Sequence, residues 1–253
     1  MAPVTAAVLP HPPLLVPELA GAAAPELDPL RAACREALAT AAAADLTIVV
    51  GDGPVWGVPE PSAPGSFAPY GADRQVTLPA ALTALDLPEL PAPARLPDLP
   101  LSLAVAAHLL TGLDPGPARL LAATVPTSLG PGAAAAIGRA LAAAARNGSA
   151  AGGPVGLVVM ADLSACRTER APGAFREEAA DFDASVAEAL RTGTPARLLD
   201  LDPAVAADLM VAGRVPLQVL AGAFESEPAV HGRVLYEDAP YGVGYLVALL
   251  TAP

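Results

Sequence analysis

His11 stands in VLPHPPLLVPE, among Pro10, Pro12 and Pro13 and directly after a short apolar run. Asp52, in VVGDGP, and Asp162, in VVMADLSAC, each follow a run of the same kind. Near the end, LYEDAPYGVGY adds Glu237 and Asp238. In open α/β sheets, ligands bind beyond the carboxyl ends of the strands. One imidazole with two or three carboxylates there supplies borderline nitrogen and hard oxygen donors, a set that suits a divalent cation. The same carboxylates also serve as helix caps or face water, so spacing alone leaves both roles open.

Other residues with chemical potential carry plainer readings. His108, in LSLAVAAHLL, sits on a segment apolar nearly all round and reads as a hydrogen-bonded packing histidine. His231 precedes Glu237 by an even step, which puts both on one strand face, about 20 Å apart if fully extended. That separation is too long for one metal, so His231 reads as surface or structural. Asp162 and Ser164, in DLSACRTE, fit a turn or cap as well as a site. Cys166 reads as a small buried hydrophobe rather than a reactive thiolate. Trp56, the single tryptophan, either covers a pocket or packs. Gly242 and Gly244, in PYGVGY, permit close backbone approach or a bulge near Glu237. They form no nucleotide fingerprint, since no GxGxxG opens a helix, and GDGPVWG is too proline-interrupted for a P-loop.

The elements that must position these groups alternate along the chain. Thr5–Leu9, Leu46–Val50, Arg119–Val125 and Gly156–Met160 are apolar runs bounded by Pro, Gly or Asp and read as buried strands. Helical patterns run from Glu26 to Ala43, with Pro25 suited to the first turn, then over Leu101–Leu110 and over Gly132–Arg146, stopped by Asn147-Gly148. Another covers Phe175–Arg191, where Phe175, Ala179, Phe182, Val186 and Leu190 repeat at helical spacing and Gly193 ends the run. Shorter helices fall near Pro203–Ala212 and Pro216–Phe224. Ala229–Tyr236 and Val243–Leu250 read as a closing pair of strands, with a hairpin as one arrangement. This order predicts an α/β sandwich of helices around a central, mostly parallel sheet. Residues 51–100 are rich in Pro and Gly and too long for a plain connector, so they read as a lid or an insertion in a single domain spanning 1–253.

Composition narrows the classes. With 53% hydrophobic and 16% charged residues the chain has ample material for a core. The net charge is −12, and all 14 cations are arginine. An acidic chain without a basic cluster argues against nucleic acid and anionic membrane as partners. The two cysteines are far apart, which argues against a disulfide framework or a structural zinc and fits the cytoplasm. No run of about 18 apolar residues suggests a membrane span, and the N-terminus lacks the basic region of a signal peptide. Both a monomer and a homo-oligomer stay open.

Three segments in order resemble the class III extradiol ring-cleavage dioxygenases, the LigB-like family, and their Memo-like relatives. PHPPLLVPE resembles the opening His-Pro-Pro segment. VVMADLSACRTERAPGAFREEAADFDASVAEAL resembles the Asp-Leu-Ser-His segment with its following helix. LYEDAPYGVGYLVALL resembles the closing Tyr-Glu and Gly-Val-Gly-Tyr segment. The likeness spans nearly the whole chain and implies a non-heme Fe(II) oxidoreductase acting on a small aromatic substrate. The iron, or another divalent metal, is held there by two histidines and one carboxylate. By that resemblance His11 is the first metal ligand and Glu237 the carboxylate ligand.

Two departures matter. The family's second histidine comes from a Ser-Pro-His-Gly segment; here that place reads Gly51-Asp52-Gly53. Asp52 is the available replacement, giving an expected His11, Asp52 and Glu237 metal set. The acid/base histidine would follow Ser164, but this chain has Ala165. General acid–base help is worth roughly 10²–10⁴-fold, so ring cleavage is expected to be altered or lost. The catalytic group is left open, with Asp162 and Ser164 near its expected position. The alternatives are a non-catalytic, Memo-like binding or regulatory protein, a pseudoenzyme, and an interaction protein that docks through the proline-rich 51–100 segment.

Overall fold

A computed structural model describes residues 4–79, 87, 90–114, 116–148 and 153–253. The chain begins with β1 (Val4–Leu9), the single turn α1 (Pro17–Ala20), α2 (Asp28–Ala42) and β2 (Leu46–Asp52). Short strands follow: β3 (Gly57–Pro59), β4 (Pro64–Ser66), β5 (Gln75–Thr77) and β6 (Ala94–Leu96). Then come α3 (Leu101–Thr111), β7 (Leu120–Val125), α4 (Pro131–Gly148), β8 (Val155–Met160) and α5 (Glu178–Arg191). The chain closes with α6 (Pro203–Asp208), α7 (Arg214–Ala223), β9 (His231–Asp238) and β10 (Tyr245–Ala252).

Among the described residues the main sheet has eight strands, in the order β6-β3-β7-β2-β8-β1-β10-β9. Its centre, β7-β2-β8-β1, is parallel. Those four strands are buried along nearly their whole length because helices cover both faces. β10 and β9 add an antiparallel hairpin beside β1. Side chains alternate between two cores. Val8, Val50 and Val159 meet α4, α5 and α7; Leu9, Val49 and Val158 meet α2 and α3. The α/β sandwich read from the sequence is the fold observed. No helix among the described residues is long and apolar enough to cross a membrane.

Helix limits follow local chemistry. α2 starts at Asp28, with Pro29 in its first turn, and not at Glu26; Pro25 lies inside a 3₁₀ stretch, Gly21–Leu27. α5 starts at Glu178, so Phe175 falls outside it and is 51% exposed. Asp202 caps α6 by accepting from the Ala204 and Val205 N–H groups. α4 and α7 cross closely because Gly138 and Gly222 face each other's backbone. A Cβ at Gly138 would lie 2.0 Å from the Val219 carbonyl, and one at Gly222 would lie 2.1 Å from that of Ala135.

The proline-rich stretch is less of an insertion than its composition suggests. Gly57–Pro59 pairs with β7 and with Ala94–Leu96, extending the sheet past its parallel centre. Pro64–Ser66 and Gln75–Thr77 form a small second sheet; its Val76 and the adjoining Phe67 are buried in the α2–α3 core. Trp56 donates from Nε1 to the Pro91 carbonyl at 2.9 Å and packs against the other core, a packing role rather than a pocket cover. Residues 80–86, 88 and 89 of this stretch lie outside the described ones.

Candidate functional site

Three neighbouring parallel strands, β2, β8 and β1, end side by side. The Ala161 N–H donates to the Leu9 carbonyl at 2.7 Å, carrying the β8–β1 pairing one step past the strand ends. That step sets Asp162 against the chain leaving β1. The Asp162 Oδ1 accepts from the His11 backbone N–H at 2.7 Å, and its Oδ2 lies 3.9 Å from His11 Nε2. From the other side Asp52 brings Oδ1 to 3.2 Å from the same Nε2. Ser102, on α3, donates to the Asp52 backbone carbonyl at 2.7 Å and fixes the end of β2. The prolines after His11 start a 3₁₀ turn, Pro13–Leu15, that points the chain away from the sheet.

The His11 side chain is 4% exposed and Asp52's is 28% exposed, so solvent reaches the pair from the Asp52 side. Burial disfavours the imidazolium, but the Asp162 and Asp52 carboxylates outweigh it and raise the His11 pKa to about 9. For Asp52, burial is likewise outweighed, by His11, and its carboxyl is held below the usual range. Asp162 is pushed above that range by burial, with His11 opposing. Within this cluster two buried atoms have no hydrogen-bond partner among the described residues: Asp52 Oδ1, not aligned to receive from the ring, and His11 Nδ1.

Glu237 is not brought to this cluster. Its carboxylate accepts from Arg191 Nη2, on α5, at 2.7 Å. Glu237 sits opposite Leu246, which belongs to the α4–α5–α7 core, whereas Leu9 and Tyr245 beside the His11 turn belong to the α2–α3 core. The cause is a bulge in β9. Tyr236 pairs with Val247 and Val234 with Ala248, leaving Leu235 as the extra residue. The same bulge puts His231, opposite Thr251, on the other face from Glu237 and corrects the even-step reading of that pair.

Ser164 is also withdrawn from any substrate. It is fully buried, donating from Oγ to Asp183 Oδ2 at 2.8 Å and from its backbone N–H to Asp183 Oδ1 at 2.9 Å. Arg167 completes this knot with a 2.9 Å contact to Asp183 Oδ2. Gly244 makes room for it, since a Cβ there would lie 2.2 Å from Asp183 Oδ2. The close approach expected of PYGVGY is therefore to Asp183, with Gly242 turning the chain at φ 79°. Asp183 itself escaped the sequence reading, because one carboxylate on a helix with Glu178 and Asp181 looks like solvated surface. Ser102 escaped it too, as a lone hydroxyl on an apolar helix. Cys166 lies in a small apolar cluster with Ala179 and Leu209, in keeping with the packing role read for it.

The donor set can be weighed against the metals that the resemblance implies. A two-histidine, one-carboxylate iron set does not fit, since no second histidine stands beside His11 among the described residues and Glu237 is engaged elsewhere. Among the described residues no three His, Cys, Asp or Glu side chains form a metal-ligand cluster. His11 Nε2 and Asp52 Oδ1 by themselves suit a divalent cation that keeps waters, provided the ion displaces the proton that the raised His11 pKa holds on the ring at neutral pH. Two donors about 2.1 Å from one ion, at right angles, lie about 3 Å apart, close to the 3.2 Å observed.

Fold and site together define an α/β sandwich with a polar cluster at the carboxyl edge of its parallel strands. No family model and no curated protein matches the chain. Among solved structures it is similar to uncharacterized protein JW3007 from Escherichia coli K12, with a TM-score of 0.56 and 14% identity over 97% of this chain and 98% of that one. A likeness at that identity shows a shared fold.

Proposed function

We propose that this chain is a divergent LigB-like protein that has lost extradiol ring cleavage and keeps, at His11 and Asp52, a site for a hard divalent cation. The observation that carries the reading is the 3.2 Å approach of His11 Nε2 to Asp52 Oδ1, a buried oxygen with no hydrogen-bond partner among the described residues. His11 and Asp52 would hold the ion, and Asp162 orients His11 by gripping its backbone N–H. When bound, such a cation supplies Lewis acidity and acidifies its water. A small aromatic compound is the ligand class the resemblance implies, bound without ring opening. Ala165, where the family carries its acid/base histidine, cannot move a proton. Both cysteines are free, which supports the cytoplasm as the compartment.

The test is calorimetric titration of metal-stripped protein with Mn(II), Zn(II) and, anaerobically, Fe(II). Wild type is expected to bind one equivalent, and His11→Ala and Asp52→Asn to lose at least tenfold in affinity. Equal, negligible uptake by wild type and His11→Ala would sink the cation site. A catechol screen is expected to stay colourless, and a yellow ring-cleavage product would overturn the loss of activity.

A second reading, a non-catalytic binding or regulatory protein, is favoured by the two-point hold of Asp162 on His11. There His11 serves as a bolt joining three strand ends. The titration would then be silent, while His11→Ala would lower the melting temperature.

A further inference from the structure

A cavity of about 300 Å³ opens between α2 and α3, on the helical face of the α2–α3 layer. Its lining includes Arg31, Arg35, Arg74 and His108 against one carboxylate, Glu18. The protein as a whole carries net charge −12 and 14 arginines, so three of its scarce cations meeting at one cavity makes a local reversal of sign. The three arginines differ in what they are free to do. Arg31 is fully engaged: Nε donates to the Leu15 carbonyl, Nη1 to the Ala24 carbonyl and Asp28, and Nη2 to the Leu14 carbonyl. Arg74 is paired with Glu18 at 2.5 Å. The Arg35 guanidinium has no ion pair or hydrogen bond among the described residues.

The His108 ring lines the same cavity. Its Nδ1 is buried without a hydrogen bond among the described residues, while its ring meets the Phe67 ring edge-on with centroids 6.2 Å apart. The hydrogen-bonded packing role read from the sequence therefore describes only half of this side chain. Burial, then the charges of Arg74 and Arg31, hold its pKa below the ordinary value, with Glu18 opposing. Leu15 and Leu109 supply apolar wall. A volume at the small end of ligand cavities suits a small molecule with one charged end.

We propose that this cavity binds a small organic anion, its carboxylate or phosphate head on Arg35 and the His108 imidazole and its apolar body against Leu15 and Leu109. Guanidinium groups recognise both heads through paired N–H donors. Glu18 competes with the ligand for Arg74, so the site is partly self-screened. It is separate from the His11 cluster and does not depend on a metal there.

The test is calorimetry of the whole chain with benzoate, phenyl phosphate and inorganic phosphate, at constant ionic strength. Wild type is expected to bind one of the two aryl anions at least fivefold more tightly than inorganic phosphate. The preferred aryl anion identifies the head group. Arg35→Ala, an exposed change that leaves the fold intact, is expected to weaken binding about tenfold. Glu18→Gln, which releases Arg74, is expected to tighten it about threefold, and His11→Ala to leave it unchanged. Absence of binding at millimolar aryl anion, or Arg35→Ala and Glu18→Gln both matching wild type, would overturn the proposal. Equal affinity for inorganic phosphate would remove the organic body from it.

Discussion

His108 and Cys34 are two side chains whose ionisation burial shifts more than any single neighbouring charge does. The pKa of His108 is held below the ordinary histidine value of 6.5, by burial first and then by Arg74 and Arg31, against Glu18. The unfolded chain takes up a proton near pH 6.5 while the folded one resists until lower pH, so the unfolded state binds more protons in that window. Stability contributed above pH 6.5 is therefore lost as pH falls through the folded pKa. Melting curves from pH 7.5 to 5 should show a loss for wild type that is smaller in His108→Gln, and NMR should place the His108 titration below 6.5. Burial pushes the Cys34 thiol up to about 12, with Asp162 adding to it. The nucleophile is the thiolate, so Cys34 should resist iodoacetamide at pH 8 in native protein and react fully in urea, read by peptide mass mapping.

Elements rather than single residues decide which groups reach one another. The bulge at Leu235 turns Glu237 toward α5 and Arg191. The knot of Ser164, Arg167 and Asp183 ties the segment after β8 to α5, and Gly244 lets β10 pass beside it. Gly244→Ala places a methyl against a buried, engaged carboxylate and should destabilise by about 1–3 kcal/mol, as overpacking does. Asp183→Ala leaves Arg167 and the Ser164 N–H without their acceptor. It should cost about 3–5 kcal/mol, the range for breaking a buried pair. Urea denaturation measures both, and neither substitution should alter cation affinity, because neither residue touches His11 or Asp52.

The scale of the whole molecule sets the standing of residues 51–100. This stretch contributes β3 and β6 to the main sheet and buries Phe67 completely. Excising residues 57–96 would expose the edge of β7 and one side of α3. The expected result is a drop of more than about 10 °C in melting temperature or outright aggregation. A docking appendage would come away without either effect.

The sequence by itself determined the sandwich. Four apolar runs buried on both faces, separated by helix-length patterns, leave few arrangements other than a parallel sheet between helices. It also picked out His11 and Asp52, because residues just past strand ends stand at the sheet's edge whatever the packing. Only the tertiary structure decided which carboxylates converge on His11. One extra residue in β9 reverses the face of everything after it, and neither the even step from His231 nor the place of Glu237 in its motif registers that reversal. Only the packing of α2, α3 and the segment before β5 could bring Arg35, His108 and Arg74 together, because they come from parts far apart in the chain.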